Sequence, residues 1–227
     1  MIRVIIFDFD GVIVESVDIK TKAFTRLFEK ENKSITEKII NYHINNTGIS
    51  RYEKFGYIYK EFLKRPLSDI EFQKLCNNFA NLVIDAVVNA PYVEGAREFL
   101  EDYGSLYSFF IASATPQGEI EEIAYKRNID RFFKRIYGAP NKKTDVIREI
   151  IISENIKPSE SLYIGDAISD YMAARDNAIN FVARINNNES IFTDINCPKI
   201  ANLKNLEKII DFMNKKDREI ETLTKLA

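Results

Sequence analysis

The chain has 227 residues, of which 45% are apolar and 29% are charged, as in an ordinary globular protein. This length is compatible with one core that carries a large insertion, or with two small cores. The formal net charge is −2, and acidic residues are interspersed with the basic ones. Because this composition provides no basic field for a polyanionic backbone, we expect no nucleic-acid partner.

The cysteines and the apolar runs indicate the cellular compartment of the protein. Cys76 and Cys197 lie far apart and form neither a CxxC pair nor part of a histidine cluster, so we expect free thiols and no zinc site. The first residues do not resemble a signal peptide, and no apolar run approaches the ~20 residues that cross a bilayer. We expect a cytoplasmic protein without a membrane partner, and the sequence leaves its oligomeric state open.

Short apolar runs predict the strands of a parallel sheet. The first run covers residues 3–7 and ends in Asp8, Phe9, Asp10 and Gly11. Later runs cover 106–112, 161–164 and 179–183, with a weaker candidate at 135–137. Helical patterns lie between them at 117–127, 144–153 and 168–177. Strands that alternate with helices predict an α/β fold, a doubly wound parallel sheet of Rossmann-like type.

The segment 16–90 breaks this alternation. Its aromatic and aliphatic residues recur at helical spacing, and it contains no convincing buried strand. Pro91 and Gly95 mark the return to the sheet. We therefore predict a discontinuous catalytic core over 1–15 and 91–227, with an α-helical cap domain over 16–90. His43, which lies in this insertion, has no candidate acid or nucleophile nearby in sequence, and we expect it to have a surface or packing role.

Residues with chemical potential follow the predicted strands. In an open parallel sheet, ligands bind beyond the carboxyl ends of the strands, so these side chains are expected to meet at one edge. They comprise two pairs of carboxylates, a hydroxyl and an ammonium group: Asp8, Asp10, Ser113, Lys143 (with Lys142 beside it), Asp166 and Asp170.

Such a set suits phosphoryl transfer. A carboxylate can attack phosphorus and form an aspartyl-phosphate, and a second acid can move the protons. Clustered carboxylates need a countercharge, and Mg²⁺ prefers oxygen ligands. A lysine and a serine hydroxyl can hold the phosphate oxygens. The expected cofactor is therefore Mg²⁺, and the expected partner is a small phosphorylated metabolite.

Four segments resemble the motifs of the haloacid dehalogenase superfamily. They are 7–16 (FDFDGVIVES), 111–116 (IASATP), Lys143 with the apolar residues that follow it, and 163–170 (YIGDAISD). The resemblance implies that Asp8 is the nucleophile and a metal ligand. It implies that Asp10 is the acid/base, with its backbone carbonyl on the metal. The remaining implied roles are phosphate binding by Ser113, Ala114 and Lys143, and metal binding by Asp166 with Asp170.

The same resemblance bears on the reaction and the substrate. Members that cleave carbon–halogen bonds lack an acid at the position of Asp10, so its presence favours phosphate esters. Residues 46–51 (NTGISR) are similar to the cap segment of β-phosphoglucomutase-like members, where an arginine reaches the far end of the substrate. Arg51 is thus a candidate specificity residue; alternatively, Ser50 is a helix N-cap and Arg51 lies on a solvated first turn. Those members carry a histidine shortly after motif one, where this chain has Lys20.

The leading hypothesis is a Mg²⁺-dependent phosphatase that acts on a small phosphomonoester, a sugar phosphate or similar metabolite, through Asp8. The alternative enzyme is a phosphosugar mutase of the β-phosphoglucomutase type, which would return the phosphoryl group to the substrate. A non-catalytic, phosphorylatable switch or binding module is a third hypothesis, although such a module would not need the large cap.

Overall fold

The computed structural model describes residues 1–186 and 189–215, and within them the strands form one sheet. The strands are β1 (Val4–Phe7), β2 (Ser108–Pro116), β3 (Phe133–Ala139), β4 (Ser161–Gly165), β5 (Asn180–Arg184) and β6 (Lys199–Ile200). Their order is β3-β2-β1-β4-β5-β6, and every neighbouring pair is parallel. The chain therefore reverses its direction of winding at β1, which lies between β2 and β4.

The helices connect these strands. They are α1 (Val17–Leu27), α2 (Lys33–Asn45), α3 (Arg51–Tyr57), a π-helix (Ile58–Leu63), α4 (Asp69–Val88), α5 (Ala96–Tyr103), α6 (Gln117–Lys126), α7 (Lys143–Ser153) and α8 (Ile168–Asp176). Short 3₁₀ turns cover Asp130–Phe132, Pro158–Glu160 and Glu189–Phe192, and residues 206–215 are also helical. In the described ranges, no helix is long and apolar enough to cross a membrane.

Alternate residues of β1 enter two separate apolar clusters, because successive strand side chains point to opposite faces. Ile5 and Phe7 pack on one face with residues of α5 and α6. Val4 and Ile6 pack on the other face with residues of α7 and α8. All four side chains are at most 1% exposed. A strand buried on both faces explains the continuous apolar run, and the prediction of a doubly wound parallel sheet is confirmed.

The strand bounds differ in detail from the sequence-based prediction. β2 ends at Pro116 instead of 112, through an irregularity in its pairing with β3 after Ala112. The weak candidate at 135–137 is the centre of β3. β6 was not predicted; it has two residues, too few for a periodic pattern. The residues after Phe212 are rich in charged side chains, and of these, residues 216–227 lie outside the described part of the chain.

The segment between β1 and α5 is helical, as predicted, and we refer to α1–α4 with the π-helix as the cap helices. Phe24, Phe55 and Phe79 form an aromatic centre among them, with ring centroids 5.0–6.3 Å apart. The guanidinium of Arg127 donates hydrogen bonds to the carbonyls of residues 87, 88 and 90 at 2.6–2.9 Å, which satisfies the end of α4. The division into core and cap domains at 15/16 and 90/91 stays a prediction.

Candidate active site

The loop after β1 places two carboxylates beside the neighbouring strand β4. The Asp8 amide donates to the Ile164 carbonyl at 2.9 Å, which continues the sheet pairing to the first carboxylate. Gly11 then turns the chain with φ +79°, and a Cβ at this residue would lie 2.1 Å from Oδ2 of Asp166. Both the left-handed backbone and the close approach require glycine. The turn therefore brings the β1 and β4 loops together.

Three buried carboxylates meet at these strand ends. Oxygens of Asp8, Asp166 and Asp170 lie within 4.8 Å of one another. The Nζ of Lys143, the first residue of α7, lies 2.5 Å from Oδ1 of Asp170 and 3.2 Å from Oδ2 of Asp8. Lys142 is exposed to solvent instead. Thus Lys143 is the lysine that the fold brings to the carboxylate cluster.

The charges in this cluster do not balance. Burial, together with the negative charges of Asp170 and Asp10, raises the pKa of Asp8 to about 7, against the lowering effect of Lys143. Burial and the charges of Asp8 and Asp170 raise the pKa of Asp166 well above its ordinary value. One ammonium group among three carboxylates leaves an excess of two negative charges, which a divalent cation would neutralise. The donor set consists of hard oxygen atoms, so it fits Mg²⁺.

The Asp10 carboxylate does not belong to this cluster and is held by three donors. It accepts hydrogen bonds from Ser16 Oγ at 2.6 Å and Thr115 Oγ1 at 2.9 Å, and it forms an ion pair with Lys20. Burial alone would raise the pKa of Asp10, but the charge of Lys20 and these hydrogen bonds lower it below its ordinary value. Ser16 precedes α1 at its N-cap position, yet its hydroxyl bonds Asp10 and no helix amide.

Ser113 and Ala114 lie where β2 departs from regular pairing. Ser113 is buried, and its Oγ accepts a hydrogen bond from the Thr115 amide at 3.1 Å. Ala114 and Thr115 line the same cavity as Asp8 and Asp10. The fold therefore brings Ala114 to the cavity of the carboxylates, while the contact of Ser113 is with the neighbouring Thr115 amide.

A cavity of about 40 Å³ separates the cap helices from the strand ends. Since one water needs at least ~10–15 Å³, this cavity holds only a few water molecules. Its walls include side chains from both sides: Asp8, Asp10 and Asp166 from the sheet, and Lys20, Phe24, His43, Arg51, Lys54 and Phe79 from the cap helices. In this conformation the cap helices close over the strand ends.

Arg51 lines this cavity and is 6% exposed, so the alternative of a solvated first turn is wrong, although Ser50 does cap α3 as expected. Its guanidinium binds both oxygens of Glu119 in α6, at 3.1 and 2.5 Å, and lies 4.3 Å from the centre of the Phe79 ring. This bidentate pair joins α3 to α6. A role in substrate specificity stays a prediction.

His43 packs inside the protein, so it has the packing role, not the surface role, of the two that the sequence left open. It is 3% exposed and stacks on Phe24 with ring centroids 4.2 Å apart. Its Nδ1 lies 3.1 Å from Nζ of Lys54, which is itself 2% exposed. Burial and the charges of Lys54 and Lys20 lower the pKa of His43 to about 3, so the imidazole is neutral.

Sequence reasoning assigned no role in this site to five of its residues: Ser16, Lys20, Lys54, Thr115 and Glu119. Ser16 and Thr115 stand within the first and second motifs, and because these segments were expected to meet at one edge of the sheet, their hydroxyls were a usable signal. Lys54 and Glu119 gave no signal, because their contacts lie across helices that only the folded chain brings together.

Residues 5–184 match the family model described as haloacid dehalogenase-like hydrolase. The chain belongs to this family. The match begins at the second residue of β1 and ends at the last residue of β5, and it covers every residue of the site described above. The prediction that this chain is a hydrolase of the haloacid dehalogenase type is therefore confirmed.

Individual proteins resemble the chain over a shorter stretch or at low sequence identity. A 5′-nucleotidase of Pseudomonas aeruginosa is 32% identical over 92 residues, which are 38% of this chain and 42% of that protein. A β-phosphoglucomutase of Clostridium difficile has a TM-score of 0.74 at 21% identity, over 95% of this chain and 99% of that one. CbbY of Rhodobacter sphaeroides, in complex with phosphate, has a TM-score of 0.72 at 14% identity, over 91% and 96%. At these identities the solved structures establish the fold.

Proposed function

We propose that this family member is a magnesium-dependent phosphatase that hydrolyses a small phosphomonoester through an aspartyl-phosphate on Asp8. The observation that carries the proposal is the buried cluster of Asp8, Asp166 and Asp170, with Lys143 in contact. Asp10, two residues after Asp8, is held separately by other donors. One carboxylate is thus available to attack, and another to move protons.

Asp8, Asp166 and the Asp10 carbonyl would hold the metal ion, with Asp170 in support. When bound, the ion supplies the positive charge that keeps Asp8 ionised and neutralises phosphate oxygens. Lys143 contributes a further positive charge beside Asp8, and Ser113 contributes a hydroxyl donor.

The reaction divides into two displacements at phosphorus. A carboxylate oxygen of Asp8 attacks, the bond from phosphorus to the ester oxygen breaks, and the leaving alkoxide takes a proton. That proton comes from the pair of Lys20 and Asp10, whose atoms are in direct contact. Water then attacks the aspartyl-phosphate and loses a proton to the Asp10 carboxylate, and the bond between phosphorus and Asp8 breaks. The low pKa of Asp10 suits this second role, because an ionised carboxylate is the form that accepts a proton.

Substrate entry requires the cap helices to move, because a cavity of about 40 Å³ holds no phosphomonoester. Reclosure would then exclude bulk water and strengthen the electrostatic interactions at phosphorus. The charged and aromatic walls of the cavity favour a small, polar substrate. The names of the relatives add nucleoside 5′-monophosphates and sugar phosphates to the candidates.

The test is phosphate release from p-nitrophenyl phosphate and from a panel of phosphorylated metabolites, with and without Mg²⁺. We expect Mg²⁺-dependent release that Asp8→Asn abolishes while the protein remains folded. Lys143→Ala should lower turnover, whereas Lys142→Ala, at the neighbouring exposed lysine, is the matched control and should not. Unchanged turnover in Asp8→Asn would refute the proposal. Isomerised sugar phosphate, in place of free phosphate from glucose 1-phosphate, would favour the mutase alternative.

A further inference from the structure

Three cationic side chains of the cap helices line the cavity: Lys20, Arg51 and Lys54. Lys20 is paired with Asp10, and Arg51 is paired with Glu119. Within 1–186 and 189–215, Lys54 has no carboxylate within ion-pair distance. It is therefore the cavity cation whose charge is still available to a ligand.

The surroundings of Lys54 make an unpaired charge costly. The residue is 2% exposed, and its Nζ lies 5.5 Å from the centre of the Phe24 ring. Its polar partner is Nδ1 of His43, a neutral group. Burial, and then the charge of Lys20, lowers the pKa of Lys54 to about 7. A bound anion would offset this cost by pairing with the ammonium group.

His43 provides a second donor at the same place. When the ammonium of Lys54 donates to Nδ1, the ring proton of the neutral imidazole resides on Nε2. This Nε2 is buried and has no hydrogen-bond partner among the described residues. His43 Nε2 thus lacks an acceptor, and Lys54 has N–H groups beyond the one that it donates to Nδ1; both residues line the cavity with Asp8.

We propose that Lys54 and His43 bind a second anionic group of the substrate, a carboxylate or a second phosphate, at the end remote from the phosphoryl group that Asp8 receives. This inference rests on the proposed function and narrows its substrate class to phosphomonoesters with an additional negative charge. Arg51 is not the primary anion ligand in this arrangement, because Glu119 already neutralises it.

The experiment compares substrates that differ only at the remote group. Calorimetry measures Kd in the Asp8→Asn background, where turnover is removed, with Mg²⁺ present. One pair is 3-phosphoglycerate against glycerol 1-phosphate, which tests a carboxylate. The other is fructose 1,6-bisphosphate against fructose 6-phosphate, which tests a second phosphate. We expect at least one pair to show a preference of about 30-fold or more for the more anionic member, as for a buried charge pair.

Adding Lys54→Met, which keeps the length of the side chain, should reduce that preference to about threefold or less. Lys60→Met, in the π-helix that follows α3 and at a lysine side chain that is 82% exposed, is the matched control and should retain it. Lys54→Gln replaces Lys54→Met if the latter does not fold. Equal affinity within both pairs, or a preference that survives loss of Lys54, overturns the inference. Absence of phosphate release by the wild type instead overturns the proposed function, whatever these affinities are.

Discussion

The raised pKa of Asp8 predicts that Asp8→Asn stabilises the metal-free protein at neutral pH. In the folded state the pKa is about 7, against 3.8 for an exposed aspartate. The unfolded chain therefore releases this proton at lower pH than the folded chain does. Between pH 4 and 7 the folded state binds more protons, so stability falls as the pH rises through this range.

The magnitude follows from the same two values. Since one pKa unit corresponds to 1.36 kcal/mol, a pKa of about 7 in place of 3.8 lowers the free energy of unfolding by roughly 4 kcal/mol at pH 7.5. This is an upper bound, because Asp8 interacts with Asp170 and Lys143, which can adjust. Asparagine has the same shape and carries no charge, so the variant lacks the free-energy cost of a buried, ionised carboxylate. In Mg²⁺ the wild type should instead be more stable than Asp8→Asn, since only the wild-type carboxylate provides a negatively charged ligand for the ion.

Urea unfolding at pH 4 and 7.5, in EDTA and in Mg²⁺, measures this difference. Asp8→Asn should be more stable than the wild type at pH 7.5 in EDTA, by up to roughly 4 kcal/mol, and nearly equal at pH 4. Asp85→Asn, at a side chain that is 92% exposed, is the matched control and should change stability by less than about 0.5 kcal/mol. If Asp8→Asn is no more stable than the wild type at pH 7.5 without metal, the charge excess described for this site is wrong.

Three further predictions concern the neighbouring ion pairs. Lys143→Met should lower the metal-free unfolding free energy by about 3 kcal/mol, because it leaves buried carboxylates without their cation; an unchanged urea midpoint would contradict this. Lys20→Met should raise the pKa of Asp10 and move the acidic limb of the kcat/KM profile to higher pH, whereas an unmoved limb would mean that Lys20 does not control this acid. A double-mutant cycle with Arg51→Met and Glu119→Gln should give a coupling energy of at least about 1 kcal/mol; additive effects would show that the pair does not join the cap helices to α6.

The sheet and its catalytic edge could be predicted from the sequence because their signals are local. A short apolar run buried on both faces indicates a parallel strand, and Asp8 and Asp10 follow it directly. Gly11 marks the turn that allows the approach of Asp166. The apolar spacing after Lys143 also selected this lysine over Lys142, and it is Lys143 that contacts the carboxylates.

The cap side of the cavity could not be predicted in the same way. Arg51 lies in contact with Glu119, which is 68 residues later in the chain, and this pairing excludes the solvated position that the sequence left open as an alternative. His43 in α2 and Lys54 in α3 come into contact in the folded chain, and neither helix carries a motif that indicates the contact. Helix packing, not residue pattern, decides which cap side chains face the strand ends.

The most direct test of the central claim is the detection of a phosphoryl group on Asp8 itself. The wild type is mixed with p-nitrophenyl phosphate and Mg²⁺, quenched within the first turnover and reduced with borohydride, which converts an acyl phosphate to an alcohol. Peptide mass spectrometry then identifies the modified position. We expect homoserine at position 8 and at no other aspartate. Phosphate release without modification at position 8, or modification at another aspartate, would contradict the assignment of Asp8 as the nucleophile.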